Sequence, residues 1–435
     1  MTMRITRRSY LLGSAALAGA ALTPTFASRA AAADPLAYKG ELTVVSLQRN
    51  PPDQAYKGIV SAFEAAHPGI TVKTTEYPSE RFVALLTASL AAGEPVDMLM
   101  LNGQDLRRYA VDGTLGALDG LVGDTSRFAP AALETGRIDG KQWGVPYGWY
   151  GGFPIFVNKA VLDKNGLSMP ATYDDFLVIR DKLKAEGIKT FTHPGKNIYL
   201  WPVWFFTTFG QTSKNRSIER TVEILTGKGK FTDPDVVEAL DLVFRFGKDE
   251  LITRSVFSLD TPNAVAEFSS GRAAFFMQHD GLIQQILTAK PAAVDLDVML
   301  MPNLVGGDVK SQFPGGPAAV LAVPAKVEGD RKAATLALVA ALTSDEANAE
   351  IVKLNNGTVP VNTAVKGSDV PQIAKLIKLS DGLVTYLDWN WPPEITRVFQ
   401  EGMQAGVAGQ TTGAAVAEKA QATLGRLVSE GYAFK

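Results

Sequence analysis

Residues 145–159 read VPYGWYGGFPIFVNK. The first ten hold four aromatics, three glycines and two prolines, and no charge. The stretch is too broken for a helix core and too apolar for an ordinary solvated surface. Large flat rings beside bare backbone suit a place where something approaches the chain closely.

Upstream, short apolar runs alternate with helical spacing. Leu42–Leu47 is a β-branched run and reads as a strand. Tyr56, Ile59, Val60 and Phe63 then repeat at helical intervals, and His67-Pro68-Gly69 stops that helix. Residues 70–74 alternate as a strand, Arg81–Ala92 reads as a helix, and Val96–Leu101 as a third strand. Strands alternating with helices imply a parallel sheet covered on both faces. Ligands in such sheets bind beyond the carboxyl ends of the strands. Gln48-Arg49-Asn50 and Asn102-Gly103-Gln104-Asp105 occupy those positions, so Gln48, Arg49, Asn102, Gln104 and Asp105 are candidate ligand contacts.

Downstream, Tyr173–Glu186, Ser217–Thr226 and Pro234–Phe246 read as helices. Phe268–Met277 reads as a helix end, a glycine turn and a buried strand. Asp295–Met301 is another strand, and Phe313-Pro314-Gly315-Gly316-Pro317 opens a run at Ala318–Val323. Helices from about Asp330 to Leu342, from Ser344 to Leu354, and beyond Glu394 complete the chain. No internal repeat is visible.

The chain has 435 residues and a formal charge of −2. No tract of about 20 apolar residues is present, so no segment reads as a membrane span. No basic block occurs beyond the N-terminus, which argues against nucleic acid as a partner. There is no cysteine, which excludes disulfides, thiolate catalysis and cysteine-bound metal. The three histidines are too far apart for a local metal pair. No GxSxG, Walker, GxGxxG or HExxH motif occurs. No enzyme activity, cofactor or metal is expected.

The N-terminus has the parts of an export signal. Arg7-Arg8 precede a short Ala/Leu run, and small residues end at Ala31-Ala32-Ala33. The paired arginines resemble the twin-arginine signal. Residues 1–33 therefore read as a signal peptide cleaved near Ala33. Its removal takes away Arg4, Arg7, Arg8 and Arg29 and brings the net charge from −2 to −6. The expected location is a periplasm, reached through the twin-arginine translocon.

Ordered short motifs run through nearly the whole mature chain. They are Phe63-Glu64 with His67-Pro68-Gly69-Ile70, Ala91-Ala92-Gly93-Glu94-Pro95-Val96-Asp97, and Gly113-Thr114-Leu115 with Leu118-Asp119. Gly140–Tyr147, Val157-Asn158-Lys159, Gly166–Phe176, Phe268–Met277, Gly315-Gly316 and Gly357–Pro360 follow. Together they resemble the family 1 extracellular solute-binding proteins of ABC importers, the maltose-binding type. The resemblance implies an α/β, two-lobed periplasmic-binding-protein fold, with a ligand cleft between lobes joined by hinge crossings. Crossings are expected near 146–152, 277–281 and 312–316. The N-lobe would be 41–147 plus 280–315, and the C-lobe 148–279 plus 316–435. Such lobes close on the ligand about their hinges.

The resemblance also implies a role. The chain would capture a sugar or sugar-like polyol as a monomer and deliver it to an inner-membrane ABC permease. A phosphorylated polyol, polyamine or metal chelate is the alternative solute. As a crossing, the opening stretch would set Trp149 and Tyr150 on the cleft floor, where an aromatic ring suits the C–H face of a pyranose. Hinge packing is the bland reading of the same rings. Trp201 and Trp204 share a face if helical, facing either ligand or lobe core. Trp389 and Trp391 share a face if extended, with Asp388 as a hydroxyl acceptor. Asp280 could accept charge-assisted hydrogen bonds. Many relatives carry Trp just after the following glycine, where this chain has Leu282. Gly315 and Gly316 mark a close approach of backbone to ligand or hinge. Asp97 reads as structural.

Overall fold

The computed structural model describes residues 36–48, 53–78, 81–355 and 359–432. The expected signal peptide and its cleavage site, and Arg49, lie outside the described residues.

Thirteen strands are described: β1 (Gly40–Leu47), β2 (Ile70–Tyr77), β3 (Met98–Leu101), β4 (Arg137–Ile138), β5 (Lys141–Gln142), β6 (Gly144–Gly152), β7 (Ile155–Asn158), β8 (Lys189–Thr192), β9 (Ala273–Met277), β10 (Leu296–Met299), β11 (Phe313–Ala322), β12 (Val359–Pro360) and β13 (Leu383–Thr385). Seven form one sheet in the order β12-β6-β11-β3-β1-β2, with β13 pairing the start of β11. Four form a second sheet, β10-β7-β9-β8. Each sheet is the centre of one lobe, and Leu36 onward forms one compact unit.

The βαβ reading of residues 40–101 describes the first lobe well. β1 pairs parallel with β2 on one side and β3 on the other. Helix Tyr56–Ala66 buries Ile59, Val60 and Phe63 as its spacing predicts. A side-chain clamp fixes the start of β3. The carboxylate of Asp97 accepts from the Thr43 amide at 2.7 Å and from Arg331 Nη2 at 2.7 Å. That ties the sheet to helix Gly329–Leu342 and supports the structural reading of Asp97.

The opening stretch is mostly strand. β6 runs antiparallel to β11 over most of its length, with an irregularity between Pro317 and Ala319. These two segments carry the chain between the lobes side by side. Gly315 is required there, because a Cβ would come within 2.4–3.0 Å of the Gly151 carbonyl, Leu383 and Tyr150.

The expected lobe boundaries need correction. Residues 278–281 touch the crossing, where the Asp280 amide donates to the Gly152 carbonyl at 2.9 Å, but the chain does not leave there. Ile283, Ile286, Leu296 and Val298 pack with Phe156 and Phe276 of the second lobe, and β10 pairs with β7. Residues 313–355 and 359–360 then belong to the first lobe, since β11 lies between β6 and β3 and β12 pairs with β6. Helices Gly329–Leu342 and Asp345–Asn355 cover the same sheet. β11 is a ten-residue strand with both edges to satisfy, and it satisfies them antiparallel against β6 and β3 of the large sheet.

The second lobe is packed from aromatics and helices. Phe176, Phe191, Trp204, Phe246 and Phe275 meet with ring centroids 5.2–6.0 Å apart. Helix Tyr173–Ala185 is closed at its start by a capping box of Thr172 and Asp175.

Candidate functional site

The lobes face one another where helix Gly103–Val111 of the first meets the turn Leu387–Asn390 leading into the second. The helix begins directly after β3, so its first turns carry Gln104, Asp105, Arg107 and Arg108 to the carboxyl end of the sheet. The turn follows β13 and presents Asp388 and Trp389. Two glycines decide where Trp389 sits. A Cβ on Gly103 or on Gly316 would overlap its ring. Tyr386 supports it from below in sequence, with ring centroids 5.0 Å apart.

A cleft of about 650 Å³ opens here, with Gln104, Asp105, Arg108, Asp388, Trp389 and Trp391 in its wall. That volume lies in the range of small-molecule sites, about 300–1,000 Å³. A second cavity of about 240 Å³ shares Trp389, Asn390 and Arg107 and extends to Arg137, Ile218 and Val222. Trp389 thus takes part in both hollows between the lobes.

The electrostatics are mixed. Burial pushes the Asp105 carboxyl up to about 6, against the pull of Arg108. Burial pushes Asp388 up to about 7. Arg107 reaches Asp139 at 3.9 Å, and burial lowers its pKa. Desolvation also raises Tyr386 and Tyr432 well above or above the usual phenol range.

Five of the sequence candidates therefore share one wall: Gln104, Asp105, Asp388, Trp389 and Trp391. The others are placed elsewhere. Gln48 is exposed at the end of β1, its amide bonded to the Tyr77 carbonyl. Asn102 is half-buried as the residue before helix Gly103–Val111. Tyr150 is 1% exposed, and its hydroxyl donates to the Gly315 carbonyl at 3.3 Å. It packs the crossing with Phe313 and Leu383, so the bland reading of this ring fits. Trp149 is half-buried against the first-lobe core.

Trp201 and Trp204 are a correction. Both have no exposed surface. The Trp201 indole donates to the Gly195 carbonyl at 2.9 Å, and that of Trp204 to His193 Nδ1 at 3.4 Å. Their shared face looks into the lobe core, and burial lowers the His193 pKa to about 3 beside them. Asp280 is 2% exposed and lies under the crossing, where a Cβ on Gly151 would come within 2.7 Å of its carboxylate. Gly315 packs backbone on backbone, and Gly316 seats Trp389.

The sequence reading missed Arg107, Arg108, Asn390 and Tyr432 as members of the wall. One signal was present for Arg108. Arg108 lies four residues after Gln104 and three after Asp105, on the same side of the helix. Nothing local singles out Tyr432.

The family model described as bacterial extracellular solute-binding protein matches residues 58–380. The chain belongs to this solute-binding family. It spans about half the length of the first curated relatives it matches. One, an uncharacterized ABC transporter extracellular-binding protein of Pyrococcus horikoshii, is 25% identical over 189 residues, 42% of this chain and 43% of the relative. A protein of Mesorhizobium japonicum named "Probable sugar-binding periplasmic protein" is 26% identical over 78% of this chain and 82% of its own. Among solved structures, a chitin oligosaccharide binding protein aligns with a TM-score of 0.76 and 22% identity, covering 89% of this chain and 98% of the other. A family 1 extracellular solute-binding protein from Bifidobacterium longum subsp. infantis aligns with the same TM-score at 19% identity, covering 89% and 100%. These likenesses establish the two-lobed fold of the solute-binding family for this chain.

Proposed function

We propose that this solute-binding protein captures a sugar or sugar-like polyol in the cleft between its lobes and delivers it to an ABC permease of the inner membrane. The carrying observation is Trp389. Its ring stands in the wall of the inter-lobe cleft, among side chains that donate and accept hydrogen bonds. A pyranose has an apolar C–H face and a hydroxyl rim, and an aromatic ring beside polar groups matches both. The relatives named as sugar-binding support the same reading. The protein would work in the periplasm, exported by the twin-arginine route through Arg7-Arg8, and would act as a monomer that binds without catalysing a reaction.

The test is a thermal-shift and calorimetric screen of the mature chain. The panel holds mono- and disaccharides, sugar alcohols, polyamines and phosphate esters. A ligand that binds only the native state at 100 times Kd adds about 2.7 kcal/mol to stability. A saturable sugar response, lost in Trp389→Ala, supports the proposal. Saturation by polyamines or phosphate esters alone overturns the sugar assignment and keeps the receptor. Turnover of a glycoside overturns both.

A further inference from the structure

The second lobe reaches the cleft near the carboxyl end of the chain through a built turn. Helix Gly413–Ser429 closes with Gly431 at φ 97. The Gly431 amide donates to the Val428 carbonyl at 3.1 Å, and the Tyr432 amide to the Leu427 carbonyl at 2.9 Å. That pair of bonds is a Schellman motif, in which the residue after the glycine commonly packs back on the helix through an apolar contact. Tyr432 is half-buried against the second-lobe core. Such packing needs only a ring. The hydroxyl is extra, and the residue also stands in the wall of the inter-lobe cleft.

Arg107 of the first lobe stands in the same wall. It lies four residues after Gly103 on the same helix face, about 6 Å along the axis from the glycine that seats Trp389. Its side chain is 21% exposed, with Asp139 of its own lobe at 3.9 Å. A guanidinium carries five N–H donors in a fixed fork, more than one carboxylate takes, and a phenol oxygen can accept one of them. Arg107 and Tyr432 act electrostatically on one another across the cleft. Arg107 influences Tyr432 more strongly than Glu394 of the second lobe does.

We propose that Tyr432 is a clasp between the lobes, its hydroxyl accepting a hydrogen bond from the Arg107 guanidinium as the cleft closes. The proposal rests on the two-lobed fold and not on the sugar reading. Opening of the lobes breaks the contact with Arg107 but leaves the Schellman turn and the ring's packing intact, because those lie within the second lobe. The hydroxyl therefore contributes to the closed state alone. A contact made in only one of two conformations shifts the equilibrium toward that conformation by its own free energy.

The experiment measures the distance between two spin labels on the mature chain, with no solute added. Lys73→Cys on β2 and Lys182→Cys on helix Tyr173–Ala185 put one label on each lobe at exposed positions, and the chain has no cysteine of its own. The labelled parent should show a closed population. Its ratio to the open population should fall roughly threefold or more in Tyr432→Phe, which keeps the ring and loses one hydrogen bond to a charged group. Arg107→Gln should lower the ratio as well, and adding Tyr432→Phe to it should cause no further fall. An unchanged distance distribution in Tyr432→Phe overturns the proposal. A labelled parent with no closed population overturns it too. Additive effects of the two substitutions would mean that the residues act apart, which also overturns it. Every one of these outcomes leaves the reading of the solute untouched, since none is added.

Discussion

The indole of Trp389 occupies the space where a side chain of Gly316 would stand. Gly316 lies in β11, at the crossing between the lobes, and pairs with Gly151 of β6. Its φ is not in the left-handed region, so space alone requires glycine there. Gly103, at the start of the helix that follows β3 in the same lobe, bounds the ring as well. The ring is therefore set by two backbone surfaces that belong to different parts of the chain.

Gly316→Ala should push the ring from its seat. Overpacking of this kind costs about 1–3 kcal/mol. The chain should still fold, with a lowered Tm, changed tryptophan emission and solute affinity reduced at least tenfold. Wild-type affinity in Gly316→Ala would show that the ring's position does not matter to binding.

The tryptophans should divide into two classes. Trp201 is fully buried among the second-lobe aromatics, so Trp201→Ala should cost about 3–5 kcal/mol. Trp389 is half-exposed in the cleft, and Trp389→Ala should lower stability far less while removing solute binding. Urea unfolding beside calorimetry separates the two effects.

Asp388 should make stability depend on pH in the direction opposite to a salt-bridged carboxylate. Burial holds its native pKa up at about 7, well above the ordinary aspartate value near 3.8. The folded chain keeps a proton that the unfolded chain releases near pH 4. The associated stability is full below about pH 4 and is lost as pH rises toward 7, at up to about 1.4 kcal/mol per pH unit. Asp105, raised to about 6, acts in the same sense. Asp388→Asn should therefore gain stability relative to the wild type between pH 4 and 7. Parallel curves of Tm against pH would contradict the assignment.

Asp97 should matter to stability and not to binding. Its carboxylate is 2% exposed and holds both the Thr43 amide and Arg331. Asp97→Ala leaves a sheet amide without its partner, at about 1–3 kcal/mol. The urea midpoint should fall while solute affinity holds. A loss of affinity as large as that of Trp389→Ala would place Asp97 in the site.

The sequence by itself determined the local elements, because their signals are local. Hydrophobic period and caps place helices such as Tyr173–Ala185 and Pro234–Lys248 within a residue or two of the reading. The alternation over residues 40–101 gives the parallel half-sheet, and the polar loop after β3 and the pair Trp389 and Trp391 point at the cleft. Only the tertiary structure decided which lobe holds residues 282–312 and which holds 313–355. Strand order depends on long-range pairing, and β11 has no local mark of the gap between β6 and β3 that it fills. The same limit applies to side chains. Residues three apart on a helix share a face, but that spacing does not say whether the face meets solvent or core. Trp201 and Trp204 met the core. Trp389 met Gly103 and Gly316, which lie far from it in sequence and reach it only through the tertiary fold.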